Sequence, residues 1–368
     1  MKGSLRSVLI FGGAGFIGCN WAHHLLNKTD ARVHVFDNLS RSGVKHNLHW
    51  LRQSSPCAPG RLKVTIADVR DAEAVRKAVY SATEIYHFAA QVAVTTSVID
   101  PRSDFEVNVG GTLNILEAAR SSGARPFLLF TSTNKVYGHM IPQRVSREPG
   151  LRHLCTPHDC TPETQPLDFY SPYGCSKGAA DQYVHDYATT FGLPTVVFRM
   201  SCIAGPRQFG NEDQGWVAHF LYSALQDKEV CIYGDGRQVR DVLAVQDLVR
   251  AFEAVHERQE TTAGQIYNVG GGADNTISLL ELIERIEKLL HKRVTCRFRE
   301  SRRGDQFIYV TDLTKLRQHV GWSPRISVPQ TIENIHDWWR HNQQLFAPVT
   351  FSRNAGKSMV EMLPGVAT

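Results

Sequence analysis

No apolar run in this chain is long enough to cross a bilayer, which takes about 20 consecutive apolar residues. The first such run, Val8–Ile10, breaks into glycines at once and has neither the length nor the cleavage pattern of a signal peptide. Internal repeats and low-complexity tracts are absent, and charged residues make up 21% of the chain, which argues against disorder. There is no basic stripe interleaved with aromatics, so nucleic acid is not an expected partner. The net charge of +5 is spread out and fits an ordinary solvated surface or a pocket for a small anion. A cytoplasmic protein without a membrane segment is expected.

Cysteine is sparse, with eight in 368 residues: Cys19, Cys57, Cys155, Cys160, Cys175, Cys202, Cys231 and Cys296. Without a secretion signal the even count does not argue for disulfides, and reduced thiols are expected. His153, Cys155, His158 and Cys160 are four zinc-type ligands within eight residues. Their Cys-x4-Cys spacing and Pro-containing loop are unusual for zinc, so a surface loop and no metal site is the expected reading.

What is present is alternation. Strand-like runs at Ser7–Phe11, Val33–Phe36, Leu62–Ile66, Ile85–Phe88, Phe127–Phe130 and Thr195–Phe198 are separated by helix-like segments. That order predicts an α/β fold: a Rossmann-type doubly wound parallel sheet with a smaller, interleaved C-terminal lobe. The expected division is a dinucleotide-binding domain over 1–200, a substrate lobe mainly over 201–343 with a helix near Ser278–Leu290, and a flexible tail over 344–368. The 237–272 stretch, with strand and helix signals over Val239–His256, is expected to return to the main sheet.

Gly12, Gly15 and Gly18 follow the first strand directly. Glycines there permit a tight turn and a close backbone approach, and the next helix points its first amides, at Phe16 and Ile17, toward a pyrophosphate. Asp37 ends the second strand, 19 residues after Gly18. A carboxylate there accepts from adenosine ribose hydroxyls and repels a 2′-phosphate, so NAD is expected rather than NADP; Arg41 nearby is the residue that could hold such a phosphate. Asn38 flanks the same turn. Asp68, after the third strand and before Val69, either reaches the adenine amine or caps a helix. Ala89, Ala90 and Gln91 follow the fourth strand, where small residues let a cofactor lie close.

Tyr173 and Lys177 form Tyr-x-x-x-Lys at the start of a helix that runs to about Phe191, and residues four apart share one helix face. Tyrosine ordinarily titrates near ~10, so it needs a neighbouring cation to act as a base at neutral pH. Lys177 is placed to be that cation. Such a pair is common by chance, as an ordinary surface contact. Thr131, Ser132 and Thr133, at the carboxyl end of the fifth strand, lie where ligands of open α/β sheets bind, or simply form a turn. Thr133 is positioned to hydrogen-bond a sugar hydroxyl while Tyr173 handles its proton.

These residues sit in long, distinctive segments: FDNLSRSG (36–43), NLHWL (47–51), QVAVTTS (91–97), DFEVNVGGTLN (104–114), STNKVYG (132–138), SPYGCSKGAADQY (171–183), DQGW (213–216) and RQVRDVL (237–243). Over residues 5–340 the chain resembles the extended short-chain dehydrogenase/reductases, in particular the NAD-dependent epimerases and dehydratases of nucleotide sugars. The resemblance implies Thr133, Tyr173 and Lys177 as the catalytic set and Asn108 as the helix asparagine supporting the active-site backbone. It implies substrate contacts from Thr95, Asn134 and Gln214, and from Arg207, Arg240 and Arg302 as phosphate-gripping forks or, equally, surface ion-pair partners. Dehydratases of the family carry an Asp-Glu pair after the catalytic Thr; here Asn134 and Lys135 stand there, which implies epimerisation without loss of water. Cys202 and Ala204 replace the Asn and Tyr common after the seventh strand. Segment-level resemblance favours inversion at C2 of a CDP-linked hexose. Inversion at C4 of a UDP-hexose, or a catalytically silent NAD-binding regulator, stay open. A homodimer through two helices per subunit, or a homotetramer, is implied.

Overall fold

The computed structural model describes residues 6–54, 60–140, 160–302 and 306–346. Its strands are β1 (Ser7–Phe11), β2 (Arg32–Asp37), β3 (Leu62–Ile66), β4 (Glu84–His87), β5 (Phe127–Thr133), β6 (Cys160–Thr161), β7 (Thr195–Met200), β8 (Cys202–Ala204), β9 (Val230–Tyr233), β10 (Val239–Ala244), β11 (Gln265–Val269), β12 (Thr276–Ser278), β13 (Cys296–Arg299) and β14 (Ile308–Thr311). Seven of them form one parallel sheet in the order β11-β7-β5-β4-β1-β2-β3. The expected doubly wound parallel sheet is therefore present.

Both faces of this sheet are buried, because side chains alternate along each strand. Val8 and Ile10 of β1 face a core with Trp21 and Leu25 of the helix Phe16–Lys28 and with Phe252 of the helix Val245–Glu257. Leu9 and Phe11 face the other core, with Val75 of the helix Ala72–Val79, Leu116 of the helix Gly111–Ser121 and Val184 of the helix Ser171–Phe191. The strand order reverses between β1 and β4, so the crevice beyond their carboxyl ends is where such a sheet accepts a ligand.

The 237–272 stretch divides between the two parts of the molecule. The helix Val245–Glu257 and strand β11 lie on and in the main sheet, but β10 does not return to it. β10 is the centre of a second sheet, paired with β8, β12 and β14, with β6 at its edge; β9 and β13 form a separate pair. Val242 packs with Val217, Ile232, Ile283, Ile332 and Trp338 into the core of the smaller lobe. The helix expected near Ser278–Leu290 spans Leu279–Leu290 behind a Ser278–Glu281 capping box. Among the described residues no helix is long and apolar enough to cross a membrane.

A buried ion pair ties the long helix Ser171–Phe191 to the sheet. Arg199 donates two bonds to Asp181, both at 2.9 Å, and a third to the Tyr137 hydroxyl at 3.2 Å. Replacing Arg199 with Met strands the Asp181 charge in the core. The expected cost is about 3–5 kcal/mol, read as a lower denaturation midpoint with an unchanged slope; a loss under about 1 kcal/mol would contradict this account.

Candidate active site

The glycine turn is shaped by close approach. Gly12 has φ +74° and donates to the Phe36 carbonyl at 2.8 Å, and a Cβ on it would lie 2.7 Å from the Ala89 amide nitrogen. A Cβ on Gly18 would lie 2.3 Å from the Gly12 carbonyl oxygen. A Cβ on Gly15 would meet only the Gly12 oxygen, at 3.1 Å, so the turn is open on the side facing the crevice. The helix Phe16–Lys28 starts there with no side-chain cap and no acidic residue in its first turn. Its free amide end and positive dipole end fit a pyrophosphate.

Asp37 accepts from the amides of Ala14 at 3.0 Å and Leu39 at 2.8 Å. Burial pushes its carboxyl up, and these amides, with Arg41, oppose that. The carboxylate thus stands at the β2 end where a ribose would lie. Asp68 does not cap the following helix, which Asp71 caps through the amides of Glu73 and Ala74. Asp68 instead accepts from Arg70 at 2.9 and 3.0 Å and from Asn38 at 2.9 Å, and Arg70 holds it well below the usual carboxylate range. Val69 is buried against Gly111.

Thr133, Tyr173 and Lys177 are all buried. Tyr173 donates its backbone amide to Ser97 Oγ at 3.1 Å. Burial pushes its phenol up to about 12, opposed by a side-chain hydrogen bond with Thr133 and by Arg41. Lys177 Nζ donates to the Thr131 carbonyl at 2.7 Å and lies 4.0 Å from the centre of the Phe130 ring. Burial pushes that ammonium down to about 7. The cation expected to lower Tyr173 is turned toward the sheet; the charges that lower the phenol here are Arg41 and the Thr133 hydroxyl dipole.

Asn108 falls within a π turn, Glu106–Gly110, between two α-helical segments. That extra residue per turn is a recurrent feature of functional sites. Its Oδ1 accepts from the Gln91 amide at 3.0 Å, and its Nδ2 donates to the Gln91 carbonyl at 3.0 Å and to Ser176 Oγ at 3.0 Å. The segment after β4 and the helix bearing Tyr173 are thereby pinned to one side chain.

On the substrate side, Asn134 donates to Gln306 Oε1 at 3.1 Å and accepts from Thr133 at 3.3 Å. Gln306 donates to the Gly138 carbonyl at 2.8 Å, and its own carbonyl accepts from Arg240. Sequence reasoning missed Gln306, which no local pattern marks. Cys202 accepts from Trp216 Nε1 at 3.3 Å within the field of Arg240 and Lys135. The buried hydroxyls of Thr95 and Ser132 have no partner among the described residues.

Of the three arginines, Arg302 makes the ion pairs that were one of its two expectations, and Arg240 and Arg207 are engaged differently from either. Arg240 is buried and donates to the Val239 and Gln306 carbonyls, so it braces the pocket wall. Arg302 lies 3.8 Å over the Tyr233 ring and pairs with Glu212 at 3.3 Å and Asp213 at 3.6 Å. Arg207, expected at the diphosphate, is instead sunk among the helices: its guanidinium lies 3.5 Å over the Trp50 ring and 5.8 Å from that of Trp338. Its backbone has φ +72°, and Trp50 belongs to the helix Val44–Gln53. Arg41 donates to Gln214, which joins the cofactor turn to the 211–216 loop. His153, Cys155 and His158 lie outside the described residues; Cys160 belongs to β6.

A family profile described as GDP-mannose 4,6 dehydratase matches residues 9–335. The chain belongs to this family. Like the NAD-dependent epimerases and dehydratases to which the sequence was likened, this family member is an enzyme with NAD as its cofactor. It is 41% identical, over 90% of its length and 98% of the relative's, to CDP-paratose 2-epimerase of Salmonella typhi. Identity to dTDP-glucose 4,6-dehydratase 1 of Escherichia coli strain K12 is 31%, over 91% of this chain and 93% of that one. Among solved structures, UDP-glucose 4-epimerase of Thermus thermophilus in complex with NAD superposes with a TM-score of 0.76 and 32% identity, covering 91% of this chain and 99% of that one. The open glycine turn, the uncapped helix start and Asp37 fit NAD, and those are the residues that would hold its pyrophosphate and adenosine ribose.

The Lys177 shift makes a prediction for the cofactor-free family member. Its ammonium titrates at about 7 when folded and at 10.5 ordinarily, so between those values the unfolded chain binds the extra proton. Stability should rise as pH climbs through that window, with the full cost of the buried charge present below it. Denaturant melts of Lys177→Met should lack this rise relative to the unmodified enzyme. Equal slopes for the two proteins would contradict the assignment.

Proposed function

We propose that this enzyme is an NAD-dependent epimerase of a nucleotide-activated hexose that inverts C2 of a CDP-linked sugar, of the CDP-paratose to CDP-tyvelose type. The observation that carries the reading is the strand end where Thr133 meets Tyr173 while Asn134 and Lys135 follow. Asn134 is buried and its side-chain amide donates to Gln306 Oε1, so neither position after Thr133 offers a carboxyl for acid–base loss of water. The 41% identity to CDP-paratose 2-epimerase supports C2 and cytidine over other choices. Resemblance to a UDP-glucose 4-epimerase structure favours inversion at C4 of a UDP-hexose as the second reading.

Bound NAD supplies reversible hydride acceptance at the carbinol carbon, so the sugar passes through a 2-keto form and the cofactor is regenerated in each cycle. Tyr173 as phenolate takes the C2 hydroxyl proton and returns it after the keto sugar has turned. Thr133 orients the reacting oxygen. Lys177, whose ammonium donates to the Thr131 carbonyl at the strand edge, would hold the nicotinamide ribose, while Arg41 supplies the positive charge that acts on the Tyr173 phenol. Asn108 and Ser176 fix the backbone from which Tyr173 and Lys177 project. Thr95, Gln214 and Arg302 would meet the rest of the substrate.

Two helices carry exposed apolar side chains, Phe105 at 58% exposure on Pro101–Phe105 and Tyr183 at 46% on Ser171–Phe191, which supports a homodimer through this face, with a homotetramer possible. A cytoplasmic location follows from the need for NAD and a nucleotide sugar.

A panel of CDP-, UDP- and GDP-linked hexoses, followed by NMR of the products, tests the reading. Inversion at C2 of a CDP-sugar without loss of water is expected, and Tyr173→Phe should lower kcat about 10²–10⁴-fold. Inversion at C4, a 4-keto-6-deoxy product, or full turnover by Tyr173→Phe would each sink it.

A further inference from the structure

One buried carboxylate at this site has no assigned task. Asp104 lies in the short helix Pro101–Phe105, four residues before Asn108, and is 1% exposed. One of its oxygens accepts from Asn108 Nδ2 at 3.2 Å. The other, Oδ2, is buried with no partner at hydrogen-bond geometry among the described residues; burial pushes the carboxyl up, and the Ser176 hydroxyl and Lys177 oppose that. Asp104 lines a cavity of about 280 Å³ between its helix and the catalytic one, together with Ser176 and Cys175. A buried carboxylate this poorly solvated is costly unless a cation faces it.

The charges around Lys177 identify that cation. Asp181 faces Lys177 but is taken by Arg199 through two bonds of 2.9 Å. His87 lies below, beside the Phe130 ring and bonded to Thr112, and burial keeps it neutral. Tyr173 is a neutral phenol at rest. Asp104 is the remaining carboxylate whose charge acts on both Lys177 and Tyr173; it sits beyond ion-pair distance of the ammonium, on the cavity wall it shares with Ser176, which lies between the two on their helix.

We propose that Asp104 is a positioning residue of the reaction: its carboxylate is the counter-charge that keeps Lys177 an ammonium beside Tyr173, and through Asn108 it braces the backbone on which both stand. The proposal rests on Tyr173 and Lys177 being the proton-handling pair, and its test reads that pair with no sugar present. A negative charge favours the protonated form of both neighbours, so removing it lowers both titrations. The probe is the phenolate absorbance of Tyr173 in the NAD-loaded full chain. It is taken as the difference between each protein and its Tyr173→Phe counterpart across pH.

Asp104→Asn keeps an acceptor for Asn108 and should move the Tyr173 midpoint down by about one pH unit. Asp104→Glu should restore the midpoint to near that of the unmodified enzyme. A merely structural role would change melting temperature and leave the midpoint in place; a folded Asp104→Asn protein with an unmoved midpoint overturns the proposal. Should Asp104→Asn not fold, carboxyl-carbon NMR of the unmodified enzyme decides: a charged Asp104 at neutral pH upholds the assignment and a neutral one overturns it. An enzyme that inverts a different carbon would leave this result standing. An unmoved midpoint in a confirmed C2-epimerase would remove Asp104 alone.

Discussion

The side-chain amide of Asn108 holds the two halves of the site in register. A parallel sheet brings strand ends to one edge, but it does not fix how deep a neighbouring helix sits against that edge. Asn108 supplies that depth. It satisfies both the amide and the carbonyl of Gln91, just beyond β4, and also reaches Ser176 between Tyr173 and Lys177. Each of these polar groups would otherwise be costly at its level of burial. The π turn makes this possible, because an uninterrupted α-helix would rotate the residue away from Gln91.

Held at that depth, the catalytic pair is dry, and dryness opposes both charges the chemistry needs. Burial raises Tyr173 to about 12 and lowers Lys177 to about 7, so each group is driven toward its neutral form. Charge must then be supplied by neighbours at short range, where a low dielectric makes each one count. A positive neighbour assists the phenolate and hinders the ammonium; a negative one does the reverse. Arg41 and the Thr133 hydroxyl act on the tyrosine side, while Asp104 and Asp181 act on the lysine side. The two residues cannot be tuned separately, which explains why so many ionisable groups crowd one strand edge.

The sequence was legible where chemistry recurs at fixed spacing. Gly12, Gly15 and Gly18 are marked by a turn that only glycine allows, Asp37 by its place at a strand end, and Tyr173 with Lys177 by a helical face. Thr133 could be placed near the carboxyl end of a strand read as Phe127–Phe130, although β5 itself runs on to Thr133 rather than turning at Thr131. Strand membership was harder, because the apolar run of β10 is the same whether it joins the main sheet or, as it does, the second one. Arg207 was read as a phosphate fork or, equally, a surface ion-pair partner, because an arginine's partners are invisible in sequence. Its environment is set by Trp50 and Trp338, hundreds of residues apart, and by a left-handed backbone at a non-glycine residue. Asp104 carried a faint signal, four residues before Asn108, but a helical spacing does not report the π turn between them.

Specificity within this family then depends on what lines the crevice beyond the shared core. The glycine turn, Asp37, Tyr173 and Lys177 serve any hydride exchange with a secondary alcohol, so they cannot choose a carbon or a base. The choice falls to the wall opposite them, where Thr133, Asn134, Gln306 and Arg240 are joined into one hydrogen-bonded strip. An amide at Asn134 can orient a hydroxyl but cannot deliver or remove the protons that eliminating water requires. Because Gln306 holds that amide on one side and Thr133 on the other, exchanging Asn134 for a carboxylate would place a charge against Gln306 Oε1 as well as change the chemistry. A change of reaction class at this site therefore requires at least two coordinated substitutions in the strip.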